Sequence, residues 1–412
     1  MTGHRLVLLG PLLGALTAAA AACGGGSSSS QAASHAVPAP AVVRTTPVPT
    51  ASTGGTAVSA TRPVRRTSHA PIITRLSAQQ LAGQRIIYAY AGLKPPASLL
   101  SAIRAGEAGG VIFFGPNVAS VAQLRGVIAQ LQRASLASPL HTRLLMLVDQ
   151  EGGEVRRLPG PPSLSEKQIG QSANGASLAA AAGAGAGANL RGAGVNVNLA
   201  PVLDVYRSAG NFIDEFQRSY SSDPGTVARL GAAFISAHQR KKVAATAKHF
   251  PGLGAATRSQ NTDLRPVKLG ASLATLRAVD EAPFNSAIAA GVKLVMTSWA
   301  TYPALDPNRP AGLSPKVIGG ELRGHLGFKG VTITDGIDGG AVKPFGSLAR
   351  RAVLAASAGA DLILCATTNP NNNTPSIGIT ARDAIASALG HQLGRAAAQQ
   401  AVARVLALRG GL

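Results

Sequence analysis

Residues 144–153 read Leu-Leu-Met-Leu-Val-Asp-Gln-Glu-Gly-Gly. Five apolar residues in a row, too few for a helix and closed by a carboxylate, predict a strand buried on both faces. Seven more runs share this character: 86–91, 110–114, 195–200, 244–250, 294–299, 330–335 and 361–366. Longer Ala- and Leu-rich stretches separate them. Residues 121–131 place apolar side chains at helical spacing. Residues 224–240 follow Asp223, a helix N-cap, and open on Pro224, which suits a first helical position. Further helices are expected over 273–290 and 348–358. The Ala/Gly run 179–188 also reads as helix, because it follows no strand and lacks the Lys-Ser/Thr of a phosphate-binding loop. A Thr/Asn/Pro stretch, 367–375, leads into a C-terminal helix running through Leu408. Eight strands with crossovers predict an α/β fold, a closed (β/α)8 TIM-type barrel forming one domain over 71–412.

The first 70 residues have a different composition. Arg5 precedes an apolar stretch, 6–22, that is short for a membrane span and contains Pro11. It ends in Ala20-Ala21-Ala22-Cys23, followed by three glycines and four serines. Residues 1–22 read as a signal peptide. The small residues before Cys23 and the soft tract after it resemble a bacterial lipoprotein signal, in which Cys23 would carry the lipid. Ala20 stands where such signals usually have Leu. Residues 23–70 then form a Ser/Ala/Pro/Thr-rich linker that cannot bury enough apolar surface to fold. An exported protein is expected, lipid-anchored to the outer face of the bacterial cytoplasmic membrane or cell envelope.

The chain has 412 residues, 46% hydrophobic and 14% charged, which excludes a wholly disordered protein. Its two cysteines, Cys23 and Cys365, exclude a disulfide scaffold, and no Cys/His cluster has zinc-like spacing. Cys365 lies in an apolar run and reads as a buried free thiol. The formal charge is +21, and residues 1–70 hold five Arg and no acid. Such charge favours anionic wall polymers, lipid headgroups or nucleic acid, or else reflects an Arg-rich composition with no partner.

Polar residues punctuate the ends of the predicted strands. They are Asp149 with Glu151, Asp204, Lys248 with His249, Ser298 with Trp299, and Asp335. In a barrel these ends converge on one rim, where a pocket with carboxylates and a cationic Lys would form. Two carboxylates in one pocket suit glycosidic bond cleavage, although composition alone leaves an aldolase or a phosphate-binding barrel open.

The strings are more specific than the pattern. Residues 149–158 (Asp-Gln-Glu-Gly-Gly-Glu-Val-Arg-Arg-Leu), 198–205 (Asn-Leu-Ala-Pro-Val-Leu-Asp-Val), 218–224 (Arg-Ser-Tyr-Ser-Ser-Asp-Pro) and 247–252 (Ala-Lys-His-Phe-Pro-Gly) resemble the N-terminal barrel of family 3 glycoside hydrolases. Residues 302–306 and 322–330 continue the series in order. The resemblance covers roughly 75–412 and is nearest to the single-domain β-N-acetylhexosaminidases, which trim peptidoglycan-derived sugars. It implies that Asp335 is the nucleophile of a retaining mechanism. It also implies that Asp149, Arg218, Lys248 and His249 bind the sugar ring, without cofactor or metal. Capping of the next turn is the plainer role for Asp335, and a structural pair the plainer role for Lys248 and His249. Glu151 is either a partner of these groups or a surface acid.

The resemblance breaks at the general acid. That branch carries Asp-x-His on the loop after Pro-Gly, whereas this chain has Ser259-Gln260-Asn261. Neither Ser nor Asn donates a proton usefully near neutral pH. Asp263 is the nearest ionisable replacement, if burial or Asp335 raises its pKa. Two further classes therefore stand beside a glycosidase. One is a degenerate barrel that binds wall glycans without cleaving them. The other is a basic lipoprotein attached to wall or polyanion. The expected partners are a carbohydrate, as cell-wall glycan fragments, and a membrane through the lipid, with no nucleic acid and the chain a monomer.

Overall fold

The computed structural model describes residues 70–412. The predicted signal peptide, Cys23 and the predicted linker lie outside the described residues. Ten strands follow in chain order: β1 (Ile86–Tyr88), β2 (Gly110–Ile112), β3 (Leu145–Val148), β4 (Gln150–Gly152), β5 (Val155–Arg156), β6 (Val197–Asn198), β7 (Ala244–Phe250), β8 (Leu294–Thr297), β9 (Val331–Gly336) and β10 (Leu362–Cys365). Eight close into a barrel in the order β1-β10-β9-β8-β7-β6-β3-β2, every neighbouring pair parallel. All eight predicted runs supply a barrel strand. β4 and β5 form a separate antiparallel hairpin directly after β3.

The near-continuous hydrophobic runs follow from two buried faces. Alternate residues such as Leu145, Leu147, Ile333 and Leu364 fill the barrel interior. The residues between them, such as Met146, Val148, Ile363 and Cys365, pack under the helices. Cys365 is buried and free, as its sequence context implies. The helix Pro224–Gln239 starts as predicted, with the Asp223 carboxylate accepting from Thr226 N at 2.7 Å. The Ala/Gly run lies inside the helix Gly175–Ala193, where glycine permits close approach: a Cβ on Gly183 would sit 2.3 Å from Phe234 O.

Two helix predictions need correction. The stretch 273–290 is not one helix. It is a short turn Leu273–Thr275, a wide π-type turn Leu276–Asp280, and the helix Ala282–Ala289. Pro283 has no N–H to continue the preceding ladder, so the chain restarts with Pro283 in a first turn. The C-terminal segment is two helices, Pro375–Ala388 and Arg395–Gly410, separated at Gly390 with φ +85°. The second helix caps the barrel's N-terminal mouth. Its Val405 and Leu408 join the interior cluster, and Arg409 donates to the carbonyls of Thr142 and Arg143 at 3.0 and 2.5 Å.

Candidate active site

The β3 segment leaves the barrel through a clamp built on Gln150. Its backbone N–H donates to Asn198 Oδ1 at 2.9 Å, and its side-chain oxygen accepts from Arg157 N and Leu158 N at 3.0 Å each. These bonds fold the β4–β5 hairpin back over the rim, with Asp149 before it and Arg157 after it. Gly152 turns the hairpin with φ +127°, and a Cβ there would meet Leu164 O at 2.2 Å.

Lys248, at the end of β7, is buried with 2% of its side chain exposed. Its ammonium lies 2.9 Å from Asp149 Oδ1 and 2.6 Å from Glu151 Oε1. Arg218 closes the network with a fork onto Glu151, two bonds of 2.9 Å. Burial opposes charge on Glu151, but Arg218 and then Lys248 overcome it and hold the carboxyl down at about 2. Burial likewise acts against Asp149, and Lys248 with Arg157 keeps it below the usual carboxylate range. Lys248 is held protonated, its desolvation outweighed by Asp149 and Glu151. Glu151 is therefore no surface acid. It fixes the two cations that face Asp149.

His249 is oriented by a residue to which sequence reasoning gave no role beyond its strand-end position. Asp204 Oδ2 lies 2.7 Å from His249 Nδ1, and Asp204 Oδ1 accepts from the backbone of His249 and Leu253 at 3.2 and 2.6 Å. The carboxylate places the imidazole proton on Nδ1 and leaves Nε2, which has no partner among the described residues, for the cleft. Nearby, Glu166 is buried with Oε1 accepting from Val202 N at 3.0 Å and Oε2 unpartnered. Burial and then Glu151 push its pKa well above the ordinary value.

Asp335 ends β9 and accepts from Gly336 N at 2.7 Å. Asp263 approaches it from the loop after β7. That loop is pinned at its base: Gly340 N donates to Asp263 O at 2.7 Å, and Ala341 N donates to Thr262 O at 2.9 Å. Gly340 permits the contact, since a Cβ there would lie 2.2 Å from Leu264 C. The Asp263 pKa is raised to about 6, by desolvation first and by Asp335 second. The residue itself is exposed to solvent, and it lines the cleft.

These groups line one cleft of about 260 Å³. It holds Asp149, Arg218, Lys248, His249, Asp263 and Asp335 together, so every site residue predicted within the described chain converges. The floor is apolar, from Ile112, Leu199, Met296 and Leu364, and Phe216 stands at the lining with 44% of its surface exposed. A cleft of this composition suits an uncharged polyhydroxylated ring.

Residues 74–408 match the glycosyl hydrolase family 3 N terminal domain. The chain belongs to glycosyl hydrolase family 3. A secreted glycosyl hydrolase of Arthroderma benhamiae is 47% identical over 290 residues, covering 70% of this chain and 82% of that protein. A beta-hexosaminidase of Nitrosomonas eutropha is 35% identical over 263 residues, covering 62% and 73%. The family 3 beta-N-acetylglucosaminidase of Paenibacillus superposes with a TM-score of 0.76 at 35% identity, over 82% of this chain; the match spans 62% of that longer chain. This family 3 barrel is a glycosidase of the β-N-acetylhexosaminidase type, and its substrate is a carbohydrate. Arg157 also belongs to its site: it lines the cleft and lies 3.8 Å from Asp149. The sequence showed Arg157 only as one of two adjacent arginines, with nothing to say which faced inward.

Proposed function

We propose that this chain is an exported β-N-acetylhexosaminidase that cleaves with retention through a glycosyl-enzyme on Asp335. The observation that carries the reading is the meeting of two carboxyls, Asp335 and Asp263, in one cleft with the charged groups around Lys248. Asp335 accepts a backbone hydrogen bond, whereas Asp263 is pushed to about 6. A carboxyl that keeps its proton, as Asp263 does, suits the acid, and the neighbouring Asp335 is left to act as nucleophile.

Asp335 attacks the anomeric carbon while Asp263 gives its proton to the glycosidic oxygen, and the aglycone leaves as an alcohol. Asp263, now ionised, takes a proton from water. The hydroxide attacks the same carbon and releases Asp335 as carboxylate. Asp149 accepts from ring hydroxyls, Arg218, Lys248 and Arg157 donate to them, and His249 accepts at Nε2. Lys248 and Arg218 keep their aim because Glu151 holds both. No metal or cofactor enters these steps.

The substrate class is N-acetylglucosamine-containing cell-wall fragments; the names of the bacterial relatives support the amino sugar, and the cell-wall source rests on the resemblance in sequence. Export is in keeping with residues 1–22 and with the secreted relative. Cys23 is the lipidation residue, and the chain acts as a monomer. A non-cleaving glycan binder is the competing reading, motivated by Ser259 and Asn261. Asp263 in the cleft, poised to carry a proton, favours turnover.

The test is a 5-fluoro-glycosyl trap of N-acetylglucosamine, with a 2- or 5-fluoro trap of glucose beside it, followed by peptide mass analysis. An adduct on Asp335 is expected. Absence of any adduct, together with turnover that survives Asp335→Asn, overturns the assignment.

A further inference from the structure

The two ends of this barrel carry different charge. The carboxylates of the cleft stand where strands end. At the opposite end, where loops enter the strands, the balance reverses. β9, β8, β7, β6 and β3 are consecutive neighbours around the barrel. The segments entering them carry Lys329, Lys293, Lys241 with Lys242, Arg191 and Arg143. All six side chains are exposed, and none joins an ion pair among the described residues.

The surroundings do not neutralise this arc. The helices Val121–Leu136, Gly175–Ala193, Pro224–Gln239 and Ala282–Ala289 contain no Asp or Glu. Glu321, on Lys316–His325, is already held by Arg277 at 2.7 Å. The acids of the remaining entry loops are also engaged: Asp361 by Arg323 and Arg404, and Glu107 by Arg382. The acidic side chains of this end are thus cancelled in place, whereas the six cations have no acidic side-chain partner among the described residues.

Two further observations concern the same end. The helix Ala70–Arg75 packs there: Ile73 and Leu76 meet Val402 and Leu406 of the capping helix and Leu140 of the loop into β3. The first described helix therefore lies on the basic face. The capping helix also seals the barrel mouth, so the face presents an arc around a closed end rather than a channel. Beside it, a depression of about 370 Å³ is lined by Arg125, Arg143 and Arg191. Arg191 there donates to Leu412 O at 3.2 Å.

We infer that this face docks on an anionic lipid surface, its cations against headgroup phosphates, with the catalytic cleft opening away from the bilayer. Unpaired Lys and Arg near such a surface each add attraction that salt screens. A planar phosphate array matches cations spread over five neighbouring loops. A single linear polymer would need them aligned along one groove.

The test uses the full chain and vesicles of phosphatidylcholine, with or without roughly a third phosphatidylglycerol. Binding to the anionic vesicles is expected, and it should weaken steeply as salt rises. The variant Lys241→Gln/Lys242→Gln/Lys293→Gln/Lys329→Gln should bind about 100- to 1000-fold more weakly. It should hydrolyse a soluble aryl glycoside at the unaltered rate and melt at the unaltered temperature. The N-terminal segment contributes equally to both proteins, so the difference reports the face. A second variant, Arg62→Gln/Arg65→Gln/Arg66→Gln, reads the contribution of the preceding segment. Loss of binding in that variant but not in the first overturns the proposal. So does a preference for a soluble glycerol-phosphate polymer or duplex DNA over vesicles at equal phosphate. Activity is measured separately, so a wrong catalytic assignment would leave this result readable.

Discussion

A carboxyl group beside a second carboxylate, with protein walls around it, keeps its proton to a higher pH than one in water. Asp263 is in that position, with a pKa raised to about 6. As the acid it must be protonated, so kcat/KM should fall as pH rises through about 6. Asp263→Asn should remove that limb. On substrates with poor leaving groups it should lower kcat/KM by about 10²–10⁴-fold, and on activated aryl glycosides by far less. A pH–rate profile with both substrate types checks this. Phe216 is exposed at the cleft lining, where an apolar face can stack on a second sugar of the proposed substrate. Phe216→Ala should raise KM for a disaccharide more than for an aryl monosaccharide. The Glu151 network carries a stability prediction. Arg218→Ala removes a fork onto a buried carboxylate and should cost about 3–5 kcal/mol, read by denaturant titration. In the sequence Glu151 was ambiguous, because the hairpin that turns it inward depends on Gln150 bonding to Asn198 and to residues after the turn. Local spacing does not record such bonds.

At the scale of elements, close backbone approach decides which glycines matter. Gly183 lies against the carbonyl of Phe234, whereas a Cβ on Gly192, in the same helix, would meet nothing within 4 Å. Gly183→Ala should destabilise by about 1–3 kcal/mol through overpacking. Gly192→Ala should stabilise by about 0.4–1 kcal/mol by restricting the unfolded chain. Opposite shifts in a thermal melt check the pair. Gly340 couples this kind of contact to chemistry. Gly340→Ala would push on Leu264 and displace Asp263, so it should reproduce the leaving-group signature of Asp263→Asn without touching either carboxyl. The strands were legible because a run buried on both faces is apolar throughout. The break in 273–290 was legible in principle through Pro283, but helical periodicity continues across it and hid the wide turn.

For the molecule as a whole, buried carboxyls set the response of stability to pH. Glu281 is raised to about 8, by burial first and by Glu321 second, and Glu166 is raised well above its ordinary value. Both hold protons in the folded chain where an unfolded chain has released them. Their contribution is full below the ordinary carboxylate pKa and is lost as pH rises toward about 8 for Glu281. Glu151 acts in the other direction: its contribution is present above the ordinary value and is lost as pH falls toward about 2. The melting temperature should therefore be highest in weakly acidic solution and decline between pH 5 and 8, and Glu281→Gln should flatten the decline. Calorimetry across that range checks it.

Local sequence determined the number of barrel strands, the helix caps such as Asp223, the polar residue at each strand end, and membership in family 3. Each is written in neighbours a few residues apart, where periodicity and backbone sterics act. Tertiary structure alone decided that Asp263 stands against Asp335, that Glu151 lies buried between Arg218 and Lys248, that Arg157 rather than Arg156 lines the cleft, and that the segments entering five neighbouring strands bring six exposed cations onto one arc. Those facts depend on distances through space between residues far apart in the chain. Electrostatic energy and desolvation follow such distances, and no spacing along the sequence encodes them.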